Sequence, residues 1–96
     1  MSKFNNIPEQ KDTEIIFRAE TRFGDFDVVF ERWKWDGILA ESIIFDEDDV
    51  SEMDDDEIIN KVKDSPIFDD KLQKNNPTIR HNNGFVFVNF NFFIEG

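Results

Sequence analysis

The chain has 96 residues, no cysteine and a formal net charge of −11, from 22 acids against 11 bases. That length supports one core and leaves no room for a second domain. The acidity opposes binding to nucleic acid or an anionic membrane, and the missing cysteines exclude disulfide scaffolds and thiolate metal sites, while 12 phenylalanines and 2 tryptophans supply apolar area for a core.

Residues 1–12 are polar, contain Pro8 and read as a loosely ordered lead-in to a single domain spanning 1–96. They lack the apolar centre of a signal peptide, and no run approaches the ~18 apolar residues of a membrane span, so a cytoplasmic location is expected. From Thr13 the pattern takes a period of two. Ile15, Phe17 and Ala19 alternate with Ile16, Arg18 and Glu20, as in a strand with one buried face. After a turn around Phe23-Gly24, Phe26 to Trp35 puts Phe26, Val28 and Phe30 on one face and Val29, Trp33 and Trp35 on the other. Asp36-Gly37 tolerates positive φ at both central positions and predicts a type I′ hairpin. Such a turn pairs Trp35 with Ile38, Trp33 with Ala40, Arg32 with Glu41 and Phe30 with Ile43. A two-residue Phe23-Gly24 turn would pair Phe17 with Phe30 and Ala19 with Val28, on the same face as Ile43 and Phe45. The two turns agree on one apolar face and so predict a three-stranded meander.

Nine of the twelve residues from 46 to 57 are acidic (Asp46, Glu47, Asp48, Asp49, Glu52, Asp54, Asp55, Asp56, Glu57), and none is basic. The remainder holds 13 acids against 11 bases, so the negative field is local. A short helix starts inside this block. Ser51 with Asp54, or Asp54 with Glu57, can form a capping box; Ile58, Ile59 and Val62 make an apolar stripe; Lys61 and Lys63 suit the C-terminal end; Asp64-Ser65-Pro66 stops it. Ile67 to Asn83 is mixed and polar, reads as a loop or a further helical turn, and leads into an Asn82-Asn83-Gly84 turn signal. Phe85 to Ile94 is the strongest strand pattern, with Val86, Val88, Phe90, Phe92 and Ile94 on one side and Phe85, Phe87, Asn89, Asn91 and Phe93 on the other; its apolar density predicts a central place in the sheet. The expected fold class is α+β, an antiparallel sheet of about four strands (the N-terminal meander plus the C-terminal strand) with one short acidic helix packed on it.

Helix capping accounts for the acids near the helix start, because carboxylates favour the unpaired N–H groups of a first turn by about 0.3–1 kcal/mol each. It leaves Asp46 to Asp49 unexplained. A calcium loop beginning at Asp46 would place Asp48 and Glu57 correctly, but Val50 and Ser51 occupy its fifth and sixth positions, where a ligand and a glycine are needed. His81 is the single histidine and has no triad or ligand set around it in the sequence, so it reads as a surface side chain in a turn. No phosphate-loop, dinucleotide, zinc-protease or nucleophile-elbow motif is present. An enzyme, a metal centre and a cofactor are not expected.

These features, a small cysteine-free acidic domain with a hairpin-rich sheet, an acidic helix and the ending Gly84-Phe-Val-Phe-Val-Asn-Phe-Asn-Phe, resemble the immunity proteins of bacterial contact-dependent growth-inhibition systems. The resemblance implies an antidote that blocks a toxin domain, commonly a nuclease with a basic cleft. The chain also resembles phage-encoded acidic DNA mimics, including anti-CRISPR and anti-restriction inhibitors, but a twelve-residue block covers little of a DNA-length groove. The expected partner is a basic protein. It would be steered by the nine acids; Trp33, Trp35 and the Phe85, Phe87 and Phe93 face either pack under the helix as core or leave an exposed subset, Trp33 or Trp35 among it, as an aromatic anchor beside the acidic rim. A non-inhibitory adaptor, whose acidity serves solubility, is the competing class.

Overall fold

A computed structural model describes residues 4, 7, 8, 12–64 and 77–94, with side chains in the final strand described through residue 89. The elements in chain order are β1 (Glu14–Phe23), β2 (Phe26–Trp35), β3 (Ile38–Asp46), a 3-10 turn (Glu47–Val50), α1 (Asp55–Lys63), β4 (Thr78–Asn82) and β5 (Phe85–Ile94). Among the described residues the strands form one antiparallel sheet in the order β1-β2-β3-β5-β4, carrying one α-helix, an α+β fold. Among the described residues the sheet has five strands, close to the four or so expected. The added strand, β4, is short and polar and lay inside the stretch read as mixed. Residues 65–76, which include the first part of that stretch, lie outside the described residues.

The Asp36-Gly37 turn forms with φ of 48° and 78°, and all four pairs anticipated across it are present. Asn83-Gly84 repeats the device with φ of 51° and 83° and closes β4 on β5. The first hairpin differs. Its turn is Gly24-Asp25, closed by Phe23 opposite Phe26, so Ala19 faces Phe30 and Phe17 faces Arg32. A slip of two residues leaves Phe17 to Phe23 on their anticipated faces, which is why face periodicity alone could not detect it, whereas a bulge between Ile15 and Phe17 sets Ile15 opposite Trp33, on the other face.

One sheet face buries Phe23, Val28, Ile43, Phe45, Val86 and Val88 under Val50, Ile58 and Val62 from the acidic segment. Phe45 is the hub, with the rings of Phe23 and Phe26 each 5.8 Å away edge to face. The opposite face joins Val29, Ile44, Phe85 and Phe87 to Phe4 and Ile7 of the lead-in. Farther along that face a polar row crosses the sheet, with Arg18, Glu31, Ser42, Asn89 and Thr78 in direct register. Arg18 donates to the buried Glu31 carboxylate, and Ser42 donates to Asn89 Oδ1. Each interior polar group thereby meets a partner instead of being left dry. Among the described residues no helix is long and apolar enough to cross a membrane.

Candidate functional site, an acidic pole

Asp46 ends β3, and its carboxylate accepts from the Asp48 amide at 2.9 Å, which starts the 3-10 turn. The Glu47 amide donates to Gly84 O at 2.9 Å and pins this turn to the β4–β5 hairpin. Ser51 Oγ donates to Asp48 O, and the Met53 amide donates to Val50 O. Asp54 then caps α1 by accepting from the Glu57 amide at 2.9 Å. Of the two boxes the sequence allowed, the Asp54–Glu57 pair caps the helix. Val50, Ile58 and Val62 are buried on the sheet, and they hold the segment so that its acids face outward.

Glu47, Asp48, Asp49, Glu52, Asp54, Asp55, Asp56 and Glu57 are all exposed, and Asp46 is half-buried. Among the described residues no lysine or arginine forms an ion pair with Glu47, Asp48, Glu52, Asp54, Asp55, Asp56 or Glu57. The side chain that reaches Glu47 and Asp55 is His81. Its Nε2 lies 2.9 Å from Asp55 Oδ1 and its Nδ1 lies 3.4 Å from Glu47 Oε2. One imidazole therefore touches the start of the 3-10 turn and the first turn of α1, so the two acidic helix starts converge on one patch. The hydrogen bond to Asp55 raises the His81 pKa above its ordinary 6.5; partial burial works against this, and Glu47 adds to the rise. His81 is thus not a side chain in a turn but a strand residue facing the acids. Nothing local reveals this, because its partners are 34 and 26 residues away in the chain.

Trp33, Phe85 and Phe87 belong to the core, whereas Trp35 is exposed. Trp33 is only 6% exposed, and its indole N–H donates to Ser42 Oγ at 2.8 Å, so it belongs to the interior. Phe85 and Phe87 are buried against Phe4 and Ile7, and Phe93's side chain lies outside those described. Trp35 is 45% exposed, but it sits at the Asp36-Gly37 tip. β3 separates that tip from Asp46 by eight residues of strand, about 27 Å. An exposed tryptophan and the acidic patch therefore occupy opposite ends of the sheet.

Among the described residues no cluster of histidine and acid side chains has the arrangement of a metal site. The arrangement offers a dense, solvent-facing array of carboxylates on a rigid base, which suits charge recognition. No protein-family model matches the chain, and neither a curated protein nor a solved structure matches it.

Proposed function

We propose that this protein is an acidic inhibitor of the immunity type, which presents Asp46 to Glu57 to the basic active-site cleft of a nuclease or toxin domain and keeps the nucleic acid out. The observation that supports this reading is the convergence of two acidic helix starts on His81, with seven carboxylates left without a lysine or arginine partner among the described residues. Like charges 4 Å apart repel by about 1 kcal/mol even in water, so this crowding works against folding stability. A cationic cleft removes that repulsion on binding.

The mechanism is competition. Opposite fields raise the encounter rate, and the bound inhibitor occupies the phosphate path. The test is the triple variant Asp54→Asn, Asp55→Asn and Asp56→Asn, mixed with basic nuclease domains in a nucleic-acid cleavage assay. Asparagine still caps a helix at position 54, so the fold survives. Slower association, by about tenfold or more at low ionic strength, and a flatter salt dependence support the proposal. Unchanged association and inhibition would remove the acidic pole from the mechanism.

A further inference from the structure

The sheet ends in two unlike edges. β4 is five residues long, and its His81 is already engaged by the acidic pole. β1 runs ten residues, and no strand lies beyond it among the described residues. Uncovered edge strands are templates for further pairing. β1 carries Glu14, Glu20, Arg18 and Arg22, so it is electrically even within a chain of charge −11. Its bulge is confined to Ile15–Phe17, and Phe17 to Phe23 pair regularly with β2. Phe17 is 52% exposed although its ring meets Phe30 edge on.

We propose that β1 is a self-association edge, at which two copies pair antiparallel about a two-fold axis through Ala19 and join their sheets. A two-fold axis perpendicular to the sheet keeps both helices on one side, so each residue must oppose one from its own face. Centring the axis on Arg18 or Glu20 sets like charges against each other. Centring it on Ala19 sets Arg18 against Glu20 of the second copy, twice, and Phe17 against Thr21, twice. Arg18 directs Nε and Nη2 to Glu31 and has a further nitrogen for this contact.

The same geometry limits repulsion. Phe23 lies at the acidic end of the sheet, because Phe23 pairs with Phe26 and Val28 pairs with Phe45, next to Asp46. Antiparallel pairing sends the two acidic poles to opposite ends, open for partners. Pairing through β4 would instead bring Glu47 and Asp55 of both copies together.

The absence of cysteine permits a direct test. Directly opposed residues in antiparallel strands have Cα atoms about 4.5–5.5 Å apart, within disulfide range. An Ala19→Cys chain treated with oxidised glutathione should run mostly as a covalent dimer. The Arg22→Cys chain should form no covalent dimer, because its two thiols would lie about 20 Å apart along the strands. Sedimentation equilibrium of the unaltered chain should show a monomer–dimer transition on concentration, suppressed by Phe17→Lys. A monomer at every concentration, equal cross-linking of both cysteine variants, or open-ended filaments would overturn the proposal; the first of these leaves the edge to a strand from a different protein. None of these measurements needs a nuclease, so this inference can fail without the inhibitor reading, and the reverse.

Discussion

The imidazole Nε2 of His81 lies 2.9 Å from Asp55 Oδ1, tying the short strand β4 to the first turn of α1 across 26 residues of chain. This bond gives the acidic pole a proton-dependent clasp. A folded-state pKa raised above 6.5 means that protonation stabilises the fold. The contribution is complete below pH 6.5 and fades as pH rises through the raised value. His81→Gln should flatten the pH dependence of the urea midpoint across that window. A titration of the His81 ring proton by NMR should give a raised pKa that falls back in Asp55→Asn.

Asp54 caps α1 through the Glu57 amide, and its side chain has no ion pair among the described residues. Asp54→Ala should therefore cost about 1 kcal/mol, read as a lower urea midpoint with unchanged slope. Asp54→Asn should cost far less, since the amide oxygen accepts the same hydrogen bond. If both substitutions are equally damaging, charge rather than capping is the contribution of Asp54.

Ser42 is fully buried and accepts the Trp33 indole N–H while donating to Asn89. Ser42→Ala removes the oxygen that accepts that N–H and should destabilise by about 1–3 kcal/mol. Trp33 and Trp35 are the two tryptophans, one buried and one exposed, so Trp35→Phe isolates the Trp33 fluorescence. In that background the Ser42 substitution should shift the emission maximum.

Gly37 sits at φ 78° in the β2–β3 turn, and a Cβ added there would meet nothing within 4 Å. Gly37→Ala thus isolates backbone strain and should cost about 1–2 kcal/mol without disturbing packing. Asp36→Gly should be tolerated, because φ of 48° is open to glycine. Thermal unfolding of the two variants gives the comparison.

The legible parts of this fold share a local cause. Asp36-Gly37 set the β2–β3 register because a type I′ turn admits one pairing, and all four anticipated pairs formed. Phe85 to Ile94 carried enough apolar density to be placed inside the sheet, and it lies between β3 and β4. Gly24 misled by one position, since both candidate turns preserve the faces. β4, with the sequence Thr-Ile-Arg-His-Asn, was hidden because a short strand held by backbone pairing to β5 needs no apolar period of its own.

For the site, the nine acids were readable from composition, and the exposure of all but the half-buried Asp46 follows from Val50, Ile58 and Val62 facing the core. Their convergence was not readable. It depends on β4 returning beside β5 and delivering His81, and the sequence separation hides that approach. The tryptophans show the same division from the other side: identical residues two positions apart share a face in any strand, yet Trp33 is sealed by Ser42 and Trp35 is left at a hairpin tip. Hydrophobic period and turn chemistry are local, so the chain determined β1, β2, β3 and β5, its acidic helix and where its charge lies by itself. Which groups meet is set by the order in which strands pair and by what covers each face, and only the tertiary structure decided that.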